Sequence, residues 1–253
     1  MKLTFLGTGT SVGVPVIGCQ CEVCRSHDPR DQRLRASVLL ELNGRNILID
    51  ASTDFRQQAL RYGINHIHAI ILTHAHADHI FGLDEMRIYN YLQGGVIPCY
   101  GNRTTINSLR EMFKYIFAAP PDSKGIPRIT THIVEGRFEL FGQEVIPVEV
   151  HHGELKILGY RVGSLAYIAD CSHLEEDSLR LLQGLDLFIL GTLRYKPHPT
   201  HFSLSQALEV VARVRPRRAY LTHLSHDFGY NKVSRELPPG VHLAYDGLEL
   251  VSD

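Results

Sequence analysis

Five short apolar runs in this chain stop at a residue able to bind a metal ion, which restricts how the runs can be arranged. Ile49 leads to Asp50, Leu72 to His74, Val150 to His152, Ile168 to Asp170, and Leu221 to His223. Read as strands, these runs bring their ends to one edge of a sheet sandwich, where rigid elements can build a single site. The densest end is Thr73-His74-Ala75-His76-Ala77-Asp78-His79, directly after the apolar run ending at Leu72. Imidazole nitrogens and carboxylate oxygens suit Zn²⁺, Mn²⁺ and Fe²⁺, and the small Ala75 and Ala77 let the loop turn tightly. The stretch is read as a site for two metal ions rather than a surface histidine patch.

Composition bounds the rest. At 253 residues the chain can bury a substantial core. A formal charge of -1 leaves no electrostatic footprint for long nucleic acid. Fifteen histidines are far more than core packing requires. Neither a signal-peptide pattern nor an apolar run of membrane-spanning length is present. Cys19, Cys21 and Cys24 crowd together, while Cys99 and Cys171 stand alone. The expected setting is the reducing cytoplasm, with no membrane partner. The three crowded thiols favour a closed structural zinc over a redox pair, and need a fourth ligand that is not local.

Local patterns predict the elements. Ser37 to Leu42 and Asn46 to Asp50 read as strands joined by an Asn43-Gly44 hairpin turn. Asp54 to Tyr62 reads as a helix stopped by Gly63. Leu83 to Tyr91, Asn102 to Phe117 and Leu204 to Val214 read as further helices, the last begun by Ser203. Asp50 either caps the segment after it or orients a metal-binding histidine; Thr73 is grouped with it as a supporting residue. The Gly7 to Ser11 turn is read as either an anion cradle or a plain tight turn. His27, His66, His68, His132 and His242 are assigned to surface or packing. His173 is a candidate for lining a substrate mouth. The stretch 118–128, with Pro120 to Gly125 its clearest loop, is the expected seam between two pseudo-repeated halves of one domain spanning 1–253.

The series His74-x-His76-x-Asp78-His79, then His152, Asp170 and His223, resembles the metallo-β-lactamase-fold hydrolases in order, spacing and strand-end setting. Together with Cys19-x-Cys21-x-x-Cys24 and His223-x-x-His226, it looks like the phosphodiesterase family of the bacterial carbon–phosphorus lyase machinery. The resemblance runs from Phe5 to Gly247. It implies an α/β, four-layer αββα sandwich with metals at one edge. It also implies one ion on His74, His76 and His152, a second on Asp78, His79 and His223, and Asp170 bridging them. Cys19, Cys21, Cys24 and His226 would hold the structural zinc. His201 falls where the family places a catalytic histidine, with His198 as its rival, and His151 is the alternative to His152.

The implied activity is hydrolysis of small phosphodiesters, including cyclic, ribosyl or nucleotide esters, by a hydroxide shared between two Mn, Zn or Fe ions. His201 would protonate the leaving oxygen, and Asp78 is counted with it as catalytic. Three other activities stay open: tRNA 3′-end processing, thioester hydrolysis, and a non-catalytic carrier role like that of the relative in pyrroloquinoline quinone biosynthesis. A homodimer is the oligomeric state left open.

Overall fold

Hydrogen bonding sorts the strands into two seven-stranded sheets. The computed structural model of the protein describes residues 1–120 and 123–252. In the first sheet β1 (Lys2–Gly7), β2 (Ser37–Leu42) and β3 (Arg45–Ile49) pair antiparallel, and β4 (Ala69–Ile71), β5 (Ile97–Gly101) and β6 (Ile129–Ile133) extend it in parallel. In the second, β7 (Phe138–Leu140), β8 (Gln143–His152), β9 (Leu155–Val162) and β10 (Leu165–Ile168) are antiparallel. There β11 (Leu187–Gly191), β12 (Arg218–Thr222) and β13 (Val241–Leu243) follow in parallel. The last strand, β14 (Glu249–Val251), returns to the first sheet against β1. Both sheets thus pass from antiparallel to parallel pairing in the same order.

Period-2 alternation explains the layering. Ile47 and Ile49 of β3 face a core shared with Leu187 and Ile189 of β11, between the sheets. Leu48 turns the other way, toward α1 (Phe55–Tyr62), α2 (Ala77–Ile80), α3 (Met86–Gln93) and α4 (Arg103–Met112), with α5 (Lys114–Phe117) beyond. Phe188 and Leu190 turn outward, toward α6 (Glu176–Leu181), α7 (Leu204–Val214) and α8 (Tyr230–Val233). Three buried cores therefore separate four layers, helix–sheet–sheet–helix, and the α/β expectation holds. No helix among the described residues is long and apolar enough to cross a membrane.

Where local chemistry is strong, the elements follow it. Asn43 and Gly44 both take positive φ, 50° and 73°, as the tight hairpin requires. Gly63 closes α1 in the left-handed region. A full capping box begins α7: Ser203 Oγ accepts from Gln206 N, and Gln206 Oε1 accepts from Ser203 N at 2.9 Å.

The differences have local causes. The single helix expected over 102–117 breaks at Phe113, whose φ of -107° and ψ of 43° are not helical. A 3₁₀ turn, Phe81–Glu85, precedes α3. Strand β8 runs through His151 and His152 rather than stopping before them. The chain changes sheets between Ile133 and Phe138, beyond the 118–128 stretch, because β6 pairs with β5 and closes the first sheet's edge. Pro121 and Asp122 of that loop lie outside the described residues, as does Asp253.

Gly191 tests how tightly the site's supporting strands are packed. A Cβ there would lie 1.4 Å from the Ala169 carbonyl oxygen, beside Asp170. Gly191→Ala is expected to destabilise by about 3 kcal/mol or more, the upper range for overpacking. Urea unfolding at fixed metal concentration checks this, and a loss under about 1 kcal/mol would mean the Ala169 backbone yields.

Candidate metal centre

The site is assembled from strand ends. Asp50 follows β3, has φ 62° and is completely buried. Its carboxylate accepts from Thr73 N and Thr73 Oγ1, both at 2.8 Å, and from His79 Nδ1 at 2.7 Å. Asp50 is therefore a brace for the histidine loop and not a helix cap, and Thr73 stands beside it. With Nδ1 committed to Asp50, His79 directs Nε2 inward. His152 Nδ1 donates to the Thr200 carbonyl at 2.8 Å, which orients that ring in the same way.

Asp170 sits at the middle. Its Oδ1 lies 3.2 Å from His223 Nε2 and 3.5 Å from His79 Nε2. Its Oδ2 lies 3.7 Å from His74 Nε2, 3.8 Å from His152 Nε2 and 3.9 Å from His201 Nε2. One carboxylate thus presents an oxygen to each of two ligand groups. Ligand atoms of His74, His76, His152 and Asp170 all lie within 4.8 Å of one another, as do those of Asp78, His79 and His223. Asp78 Oδ2 is 3.3 Å from His79 Nε2 and 3.7 Å from His223 Nε2.

The donor atoms fit metal ions. His74 Nε2, His79 Nε2, His223 Nε2 and Asp170 Oδ1 are buried without a hydrogen-bond partner, a costly state for polar atoms. Ligands about 2.0–2.2 Å from a tetrahedral ion lie roughly 3.3–3.6 Å apart, and the separations here bracket that value. Electrostatics agrees. Burial drives His74 well below its ordinary range, aided by the neighbouring His79. Burial also opposes charge on His79 and His223, yet Asp170, with Asp50 or Asp78, raises both. Against their burial, His223 and His79 hold the Asp78 and Asp170 carboxyls far below the usual carboxylate range.

His201 lies in the loop before α7, nine-tenths buried. Phe202 N donates to the Cys171 carbonyl at 2.7 Å and keeps the loop against Asp170. His201 stacks on His223 at 4.9 Å between ring centroids, and also falls within ligand reach of Asp170 and His223. Burial pushes its imidazole down to about 3. His198 lies one ring further out, with Nδ1 accepting from Thr200 Oγ1 at 3.1 Å. On alternating β8, His152 turns toward Asp170, while His151 turns to Glu175 at 3.5 Å. His173 also faces Glu175, at 3.4 Å, and joins neither ligand group.

A second cluster joins chain segments two hundred residues apart. His226 Nδ1 lies 3.3 Å from the sulfurs of Cys19 and Cys24 and 3.7 Å from that of Cys21. Three thiols around one imidazole make a closed tetrahedral donor set suited to zinc. The cysteines are in turns, not at a helix start, and none is in a disulfide. Burial raises the Cys24 thiol to about 11.

The Gly7 to Ser11 turn is not an open anion cradle. Thr8 N and Thr8 Oγ1 both donate to Asp246 Oδ1, at 2.9 and 2.8 Å, so its donors are consumed inside the fold. Sequence reasoning missed Asp246, the Thr200 carbonyl and Tyr160, whose hydroxyl donates to Leu72 O at 2.7 Å from the opposite sheet. No local pattern marks any of the three.

Comparison with known proteins agrees with this geometry. A family profile described as beta-lactamase superfamily domain matches residues 45–224. A crystal structure of a diphosphatase from the PhnP family is 46% identical, with a TM-score of 0.93, covering 100% of this chain and 98% of that one. An octanoyltransferase of Porphyromonas gingivalis is 38% identical over 258 residues, covering 100% of this chain and 52% of the relative. The chain therefore spans about half the length of that curated protein. Zn²⁺-bound PqqB from Methylobacterium extorquens is 22% identical with a TM-score of 0.80, covering 100% of each chain, a likeness of fold.

Asp50→Asn tests the brace. The amide would donate toward His79 Nδ1 and force the ring proton onto Nε2, the atom that faces the cradle. Divalent-ion affinity, measured by equilibrium dialysis, is expected to fall about 10–100-fold. Unchanged affinity would rule out Asp50 as the residue that sets the His79 tautomer.

Proposed function

Because the chain belongs to the beta-lactamase superfamily and is close in sequence and shape to a PhnP-family diphosphatase, we propose that it is a metal-dependent phosphodiesterase acting on small phosphodiesters, cyclic, ribosyl or nucleotide esters among them. The observation that carries this reading is Asp170, which offers one oxygen to each of two ligand groups in which the Nε2 atoms of His74, His79 and His223 are buried without a hydrogen-bond partner. His74, His76 and His152 would hold one ion and Asp78, His79 and His223 the other, with Asp170 shared. Manganese, zinc or iron bound there supplies Lewis acidity and neutralises charge as phosphorus is displaced. Cys19, Cys21, Cys24 and His226 would hold a structural zinc, which needs deprotonated thiols and favours a reducing, cytoplasmic setting.

The chain's own residues handle orientation and protons. Asp50 and the Thr200 carbonyl fix the rings of His79 and His152. His201, neutral in the free protein because it is buried, gains proton affinity when an anionic phosphoryl group lies against it. It takes up a proton from solvent, delivers it to the leaving oxygen and returns to the neutral ring. Diphosphates and phosphodiesters share a phosphorus centre and an oxygen leaving group, so the likeness to a diphosphatase supports the phosphodiester reading. A specific observation favours a second reading: the Porphyromonas relative is named an octanoyltransferase, which makes an acyl thioester the substrate to set beside the phosphodiester. The segment between Asp170 and His223 forms α6, β11, α7 and β12, without the protruding arm that a tRNA-processing reading calls for. A homodimer remains the proposed assembly.

Purified protein loaded with manganese or zinc is expected to release nitrophenol from bis(p-nitrophenyl) phosphate and to lose that activity in His76→Ala. Turnover of octanoyl thioester with none of the phosphodiester would replace the first reading by the second.

His201→Ala is expected to lower kcat by about 10²–10⁴ with metal content unchanged. Loss of metal in parallel with kcat would instead make His201 a ligand.

A further inference from the structure

A small pocket opens beside the metal cradle, between α4 and the start of β9. Its volume is about 150 Å³, and His74 and His76 form part of its wall. Thr104, Ser108 and Met112 from α4 and Leu155, Lys156 and Ile157 from β9 form most of the rest. Methyl, methylene and thioether groups therefore line it, with hydroxyls along the helix side.

Two features make it a built site. Asn102 caps α4 through a bond from Thr105 N at 2.8 Å, and its amide donates to the Lys156 carbonyl at 3.2 Å. This straps the start of α4 to β9 and holds the walls apart at fixed width. Lys156 is the lining residue with an ammonium group, which is engaged by Glu149 Oε1 at 2.8 Å. The Lys156 side chain stands in solvent at 61% exposure, so an arm entering the pocket meets mainly apolar wall and no buried counter-charge. Met112 and Leu155, at 52% and 46% exposed, offer apolar surface at the rim. A cavity of about 150 Å³ with apolar walls accepts a benzene-sized group.

We propose that this pocket is the subsite for a compact, uncharged, apolar arm of the substrate, an aryl or short alkyl group of about six carbons, held while the phosphorus lies at the adjoining cradle. The inference rests on the phosphodiesterase reading for its catalytic arm and on geometry alone for its binding arm. It gives the site a source of selectivity that the metal ligands lack, since they meet only the reacting group. Binding energy from such an arm also orients the diester against His76 and His201.

The test has two readouts on the metal-loaded protein. In the first, phenyl phosphate and methyl phosphate are titrated while the methionine methyl signals are followed by NMR. Phenyl phosphate is expected to shift the Met112 signal, and methyl phosphate to leave it in place. In the second, phenyl p-nitrophenyl phosphate is expected to exceed methyl p-nitrophenyl phosphate in kcat/KM by about 10-fold, the scale of an apolar subsite contact. Ser108→Phe, which fills the pocket, is expected to bring that ratio toward one. Thr104→Trp, at the exposed rim, serves the same purpose if the first variant does not fold. A Met112 signal unmoved by phenyl phosphate overturns the subsite. So does a ratio near one in the unmodified protein. A Met112 shift without turnover of either diester keeps the subsite and removes the phosphodiesterase reading.

Discussion

The buried carboxylate of Asp50 is the interaction on which the site depends. It lies where the first sheet hands the chain to its helices, with no solvent contact, and must find donors inside the fold. Thr73 supplies two and His79 the third. Those bonds tie the end of β3 to the loop after β4 and select the ring nitrogen that His79 turns inward. Removing one partner from a buried charged network typically costs about 3–5 kcal/mol. The brace is therefore held by more than local preference.

Around it the structure accepts costs that a purely structural sandwich would avoid. Asp50 and His223 sit in the left-handed backbone region, with φ of 62° and 58°. Strain of this kind persists where surrounding packing over-determines it, and it concentrates at functional sites. Several imidazole and carboxylate atoms are desolvated without partners. Three continuous apolar cores, one between the sheets and one beneath each helical layer, supply the stability that tolerates this. His223 and His226, three residues apart after β12, also connect the two donor clusters. Leu224 N donates to the Thr8 carbonyl at 2.8 Å, and buried Arg33 donates to the Ser225 carbonyl at 3.0 Å. The turn that offers a ligand to each cluster is fastened on both sides.

The fold and the family profile place the chain in the beta-lactamase superfamily, but one fold hosts many reactions. Selectivity has to come from groups that meet the rest of the substrate. On the proposed reading the α4–β9 pocket is one such feature, and the His201 loop, pinned through Phe202 to Cys171, is another. Both lie next to the cradle on elements held by identified hydrogen bonds, which is the condition for precise positioning.

Much of this was legible from residue order alone. Alternation and turn chemistry located the Asn43-Gly44 hairpin, the Ser203-capped helix and the apolar strands, because those signals act over a few residues. The compact histidine–aspartate loop declared a set of candidate metal ligands for the same reason. Other features needed the tertiary structure. Which of His151 and His152 faces the cradle follows from the phase of β8. Asp50 became a brace instead of a cap only when β3 and β4 paired in parallel. The anion reading of the Gly7 turn fell to Asp246, more than two hundred residues away. Asp170 became the shared centre only when four strand ends met. Composition and spacing specify which residues can bind a metal, but their convergence depends on sheets that pack distant segments face to face, and no local pattern encodes that distance.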